Sequence, residues 1–361
     1  MSRNKPRINI YAILLPLGTL FGVMGYAAWW FTLATGIRGA VDDWAVARRA
    51  EGWTVTYAKP DLGGFPHRAE ARIKAPQIET PDGIAWKGPD LVVFIMPTEP
   101  SRAVIEAKGE HRLTLPGAQG PVQTALRAQA ASLALLLETG RVAGSEASFE
   151  NAEIKLPEGP LRVAKLSLGH KSPLPPPAAA TPPDDGHTVT TLVLRADATG
   201  IDLPRPQGPV LGPHIAAASF DGRILGKLAP GHPLAALRAW RDGGGTVELD
   251  RATLRWEPLD VAAHGTLALD SKLQPTAALT ATLRGFFQTV DALNRAQMIR
   301  TRDASMAKLI LGALAKTPPE GGPPVLTVPL TVQGGMLSAG PSQLMPVPPI
   351  MWEDFALFRP A

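Results

Sequence analysis

The 361-residue chain contains no cysteine, which excludes disulfides, iron–sulfur clusters, thiolate zinc sites and a cysteine nucleophile together. Charge is also scarce at 19%, against 45% apolar residues, so the chain is no self-repelling disordered polymer and has ample material for a core. It lacks a basic run beyond residue 38. Arg3, Lys5, Arg7 and Arg38 lie in a stretch without a single acid and account for the whole net charge of +4, leaving a formally neutral body. Nucleic-acid binding draws its affinity from phosphate neutralisation, and a neutral body excludes nucleic acid as a partner. Glycine (35) and proline (37) are abundant and demand many turns, which argues against a helical bundle.

No charged side chain occurs from Ile8 through Ile37, and Ile10 to Leu33 is long enough to cross a ~30 Å hydrocarbon layer as a helix. Tyr11 stands near one end of this run, and Trp29 and Trp30 near the other. The rise from Tyr11 to Trp29 is about 27 Å, which suits two membrane-interface aromatic belts. The short basic tail favours a cytoplasmic N-terminus, with the remainder exported. A cleaved signal peptide is the competing reading, but the apolar run exceeds the usual h-region of ~7 to 15 residues. Gly18 and Gly22 form a GxxxG spacing through which two such helices could pair as a homodimer. The expected organisation is a tail and transmembrane helix over 1–36 and an exported β-rich domain over 37–361.

Asp42 and Asp43 open, and Arg48 and Arg49 close, a short segment ending at Gly52 that reads as a separate membrane-proximal helix with Ile37, Val41 and Trp44 inward. From Trp53 the period changes from helical to alternating. In Leu259 to Leu269 the residues Leu259, Val261, Ala263, Leu267 and Leu269 share one face, and Asp260, His264 and Thr266 the other. Leu279 and Leu283 repeat the pattern, as do Val328, Leu330 and Val332. About fifteen strands are expected, with a short helix over 233–240. A helical stretch over 289–316 is expected to break near Thr301 to Asp303, with Val290, Leu293, Met306, Ile310 and Leu314 along one side. The fold class is therefore mainly β: an N-terminal transmembrane helix, then a long curled antiparallel sheet with a few packed helices. The proline-rich loop at 172–186 reads as an insertion in one continuous sheet, with two tandem halves as the alternative.

The seven histidines occur singly, without HExxH or any pair at ligand spacing, and there is no GxSxG. Gly222 to Lys227 resembles a phosphate loop but is one residue short and lacks the following Ser or Thr; Asp221-Gly222 reads instead as a hairpin turn. Gly63-Gly64-Phe65-Pro66 specifies a tight bend with a buried aromatic anchor. The tail with Trp352, Phe355 and Phe358 reads as closing the body's own core, with a partner-binding tail as the alternative. No catalytic, cofactor-binding or metal-binding residue emerges, and the chain is not expected to be an enzyme.

The basic tail and span, Gly52-Trp53-Thr-Val-Thr-Tyr57 with Gly64-Phe65-Pro66, Gly88-Pro89-Asp-Leu, and Gly109-Glu-His-Arg-Leu-Thr-Leu-Pro116 together resemble the DUF2125 family, found mainly in alphaproteobacteria. Trp256 to Asp270 and Leu283-Arg-Gly285 are similar to strands of the wider AsmA-like group, whose members are membrane-anchored, β-rich and associated with envelope lipid handling. The resemblance implies an inner-membrane protein with its bulk in the periplasm. The expected function is a hydrophobic β-groove that binds or handles envelope lipids, lined by Leu259, Val261, Leu267, Leu269, Leu279, Leu283, Val328, Leu330 and Val332. The alternative is a non-enzymatic scaffold or assembly factor that binds envelope proteins.

Overall fold

A computed structural model describes residues 11–116, 120–156, 158–172, 189–204, 210–229, 232–319, 321–340 and 342–352. The basic tail, most of the proline-rich loop, Phe355 and Phe358 lie outside these residues. The chain opens with α1 (Tyr11–Ala50), one helix of 40 residues and hence about 60 Å. The expected second helix is absent: Ile37 to Arg49 continue the same helix, so the boundary placed at 36/37 falls inside it. No proline or helix-ending glycine separates the two halves, because Gly36 and Gly39 are followed by helical residues rather than by a break. The helix stops at Gly52, where φ is +85° and the amides of Gly52 and Trp53 bond back to Arg49 O and Arg48 O. From Leu17 to Trp29 it is apolar and mostly exposed, and α1 is long and apolar enough to cross a membrane.

Short strands follow: β1 (Thr54–Thr56), β2 (Asp61–Gly63), β3 (Ala69–Ile73), β4 (Gln77–Glu79), β5 (Ala85–Lys87) and β6 (Leu91–Met96). Then come β7 (Glu99–Glu106), β8 (Gly109–Leu115), β9 (Val122–Ala128), β10 (Ala130–Glu138), β11 (Arg141–Leu156), β12 (Gly159–Lys171), β13 (Thr190–Asp202) and β14 (His214–Leu225). After α2 (Pro233–Asp242) the meander resumes with β15 (Thr246–Trp256), β16 (Leu259–Leu269) and β17 (Pro275–Arg284). The helices α3 (Phe286–Arg295) and α4 (Thr301–Leu314) precede β18 (Leu326–Gln333), β19 (Met336–Ala339) and β20 (Ser342–Pro346). All described strands belong to one antiparallel sheet that does not close.

The sheet forks at β11. Along Arg141 to Glu150 this strand pairs with β10, and at Glu153 and Ile154 it pairs with β9 on the same edge. One branch runs β10–β7–β6–β3–β2 and the other β9–β8–β5–β4–β1. The C-terminal half of α1 packs on the terminal strands of both branches, β1, β2, β3 and β6. Ala34, Ala69 and Ala71 are wholly buried there, with Ile37, Ile73 and Val93 around them, because alanines let helix and sheet backbones approach closely. From the other edge of β11 the strands β12 to β18 follow in sequence order, with β12 pairing directly to β13 across the proline-rich loop.

Residues directly opposite each other across a ladder share a face. Leu62 pairs in succession through Ala71, Val93, Ile105, Leu133, Ala147 and Leu168. From Leu168 the row continues through Ala196, Phe220, Ala252, Ala263, Ala281 and Val328. One unbroken apolar row thus runs from β2 along its branch, through β11 and on to β18, without entering the β9–β8–β5–β4–β1 branch. The opposite face carries Glu146, Gly169, Arg195, Asp221 and Arg251 in a neighbouring row, with Arg195 Nε 2.7 Å from Asp221 Oδ1. Two departures from the expected elements concern this region. Asp221 and Gly222 lie inside β14, where the ladder to β15 shifts register, rather than in a turn. Met306, Ile310 and Leu314 on α4 are exposed instead of packed, although Val290 on α3 is buried.

Candidate functional site

The nine residues proposed from alternation stand on the apolar face. Val261 lies opposite Leu283, Leu279 opposite Leu330, and Leu259, Leu267, Leu269, Val328 and Val332 occupy the same parity on β16 and β18. Every one of them is half-buried. Between them the floor is thin: Ala263, Gly265, Ala277 and Ala281 fill the central rows. At one end Gly285 turns the chain into α3, which contacts β16 and buries Phe286, Val290 and Ala292; at the other, Arg241 of α2 and Trp352 bond to the β16–β17 turn. Among the described residues no large side chain is completely buried anywhere, and the fully enclosed positions are alanines. A sandwich core of this size would enclose many leucines and valines. Here, among the described residues, α1 covers the Ala71 and Val93 end of this face and no second sheet covers the rest.

A hollow of about 450 Å³ lies at these strands, but Thr266, Thr276, Thr331 and Gln333 in its lining belong to the polar face. The candidate site is therefore an extended surface rather than a pocket.

Polar chemistry is tied up structurally. His111 is buried, its Nδ1 accepting from Trp86 Nε1 at 3.3 Å and its Nε2 donating to Ala107 O at 3.1 Å, which saturates the ring. His170 Nδ1 meets Ser145 Oγ at 2.8 Å on exposed strands, but among the described residues no carboxylate bonds its other nitrogen to orient it as a base. Neither do the described residues bring three His, Asp or Glu side chains together at metal-binding distance. His264 is exposed on the polar face, as its alternation implies.

Ion pairs decorate the wet side. Arg127, and after it Arg112, hold the Glu110 carboxyl below its ordinary value, and Arg223 does the same for Asp250 at 2.7 Å. A carboxylate with a depressed folded-state pKa contributes stability above its unfolded value and loses it as pH falls through the folded one. Thermal midpoints should hold from neutral pH down to about pH 4 and decline below it, and Arg223→Gln should flatten that decline slightly. A midpoint rising on acidification would contradict this assignment. The effect is small because all these pairs are solvated.

The third feature is the junction of α1 with the sheet. Trp30 Nε1 donates to Arg68 O at 2.8 Å, Trp29 Nε1 to Pro97 O at 3.2 Å, and the Tyr26 hydroxyl to Pro66 O. The two tryptophans expected at a membrane interface are thus also the residues that fasten the body to α1. Tyr11 begins α1, and its side chain lies outside the described residues. Phe65 corrects an expectation: the bend at Gly64 forms, but its aromatic is 54% exposed instead of buried. Its ring packs edge-on to Trp30, centroids 5.4 Å apart, and 6.3 Å from Tyr26. Tyr26, Pro97 and Met96 were not singled out from the sequence, since nothing local reveals that distant turns meet α1. Trp352 Nε1 donates to Leu273 O at 2.8 Å, so the tail is laid on the β16–β17 turn at that point.

These features define a class: an open antiparallel β-meander with one apolar face, docked on the end of a membrane-length helix. Residues 30–348 match the model of an uncharacterised protein family conserved in bacteria, DUF2125, and the chain belongs to that family. The match begins at Trp30, one of the residues through which α1 meets the body. No curated protein and no solved structure matches the chain.

Proposed function

We propose that this is a non-catalytic, single-pass protein of the bacterial inner membrane whose apolar sheet face accommodates the acyl chains of envelope lipids. One observation carries the reading: the apolar row from Leu62 to Val328 runs along the β2 branch, through β11 and on to β18, and on the same face Leu267 and Leu330 are only half-buried among the described residues. Each methylene sheltered there is worth about 0.8 kcal/mol, so a fatty chain can be held without any polar motif. The similarity of Trp256 to Asp270 to AsmA-like proteins points to the same ligand class. A photoreactive residue at Leu267 or Leu330, activated in membranes, should capture lipid. Capture of protein alone, or of nothing, would overturn the proposal.

The basic residues Arg3, Lys5 and Arg7 support a cytoplasmic N-terminus with the sheet in the periplasm. In this cysteine-free chain a single Glu158→Cys, on an exposed turn between β11 and β12, should react with an impermeant maleimide added to intact cells whose outer membrane is permeabilised. Labelling only after the inner membrane is breached would reverse the orientation.

A second reading, a scaffold for envelope proteins, is favoured by β20, which among the described residues pairs only with β19 and is exposed along its length, leaving an edge open to strand addition. Adducts from Leu344 to a discrete protein, with none to lipid from Leu267, would favour it over lipid binding.

A further inference from the structure

Three neighbouring turns at the α1 end of the sheet each present a large apolar side chain to solvent: Phe65 (54% exposed) after β2, Met96 (41%) at the end of β6, and Leu136 (39%) with Val142 (51%) around the β10–β11 turn. Single exposed apolar residues mean little, but these share a location. Ala69, Ile95, Ala103, Leu135 and Ser145 form one cross-strand row. All four exposed side chains lie beyond that row on the same side. The direction is set by α1, which meets the sheet in parallel with β3: Tyr26 at Pro66, Trp30 at Arg68, Arg38 at Pro60 and Arg49 at Val55. The side carrying the four residues is therefore the side toward the apolar N-terminal half of α1.

A helix needs about 20 residues to cross the hydrocarbon, which carries the span from Tyr11 to Trp30. Phe65 packs between the levels of Tyr26 and Trp30, one helical turn apart, and so stands at the inner edge of the headgroup layer. We infer that the Phe65, Met96 and Leu136/Val142 turns insert into the interface of the membrane that α1 spans, giving the body a second lipid contact and seating the edge of its apolar face on the bilayer. This rests on α1 being a transmembrane helix, but not on the apolar face binding lipid. Apolar side chains that enter the acyl boundary by 5–10 Å gain their burial from the bilayer, which accounts for their exposure in the protein alone. Fastened by Trp29, Trp30 and Tyr26, the body does not pivot freely on α1, so turns on several strands can contact the membrane together.

The experiment uses the full-length chain, made with single cysteines carrying an environment-sensitive fluorophore, in phosphatidylethanolamine/phosphatidylglycerol vesicles. Phe65→Cys, Val142→Cys and, within the span, Leu20→Cys are compared with Glu158→Cys. Labels at 65 and 142 should shift to the blue and lose most of their fluorescence to a quencher attached high on the lipid chain, while the label at 158 answers only to aqueous iodide. If the label at 20 is quenched from the lipid but those at 65 and 142 behave like 158, the interfacial turns are refuted and the span stands. If the label at 20 is not quenched from the lipid either, the span fails and the inference falls with it. Val142 is remote from the Trp30 contacts, so its result stands even if Phe65→Cys disturbs the junction.

Discussion

Valine in place of Gly285 is expected to cost more than about 4 kcal/mol, enough to unfold the β16–α3 region. Gly285 has φ +71°, a conformation strongly disfavoured for β-branched residues, and a Cβ there would stand 1.7 Å from the carbonyl oxygen of Pro258. That oxygen is backbone, so no rotamer change relieves the clash. The residue begins α3, whose Phe286 and Val290 roof one end of the apolar face. The variant should therefore lose that roof as well as β17's connection to it. Thermal unfolding of the purified full-length chain in detergent, together with protease sensitivity between residues 286 and 314, measures the effect. Wild-type melting in the valine variant would refute the packing described at the end of β17.

Trp30→Ala should release α1 from the sheet at a cost of about 3–5 kcal/mol, the range for truncating a large aromatic in a packed site. The ring contacts Phe65 and the Ala34–Ala69–Ala71 cluster, and its Nε1 bond to Arg68 O would be lost with it. Trp30→Phe keeps most of the packing and loses only that bond, so its penalty should be nearer 1 kcal/mol. Trypsin reads the difference at Arg38, Arg48 and Arg49, which lie on the part of α1 that packs on the sheet. Cleavage there should be slow in the native chain, slightly faster in the phenylalanine variant and fast in the alanine variant. Equal protection in all three would show that the tryptophan does not secure the body to its helix.

The legible part of the fold was whatever a single segment encodes. Alternation from Leu259 to Leu269 assigned the apolar face of β16 correctly, and the same parity identified the faces of β17 and β18. The helix α2 emerged almost in register, because Pro233 opens it and glycines close it. Where local signals competed, the reading failed. Arg141 to Leu156 carries little strand signal of its own, since Gly144, Ser145, Glu146, Glu150 and Asn151 lower its apolar contrast; pairing with β10 and β12 makes it the longest of the described strands. The amphipathic spacing of α4 implied a packed face, whereas the chain places Met306 and Ile310 outward.

What the sequence determined by itself is local and periodic: a membrane-length apolar helix behind basic residues, strands with one dry and one wet side, and turns at glycine and proline. The tertiary structure alone decided the fork at β11, the fusion of the span with the docking helix, the exposure of Phe65, and the joining of separate apolar strand faces into one row. The physical reason is that a side chain's parity is set within its own strand, but the face it shares with the next strand depends on register, and register is fixed by hydrogen bonds between segments far apart in the chain.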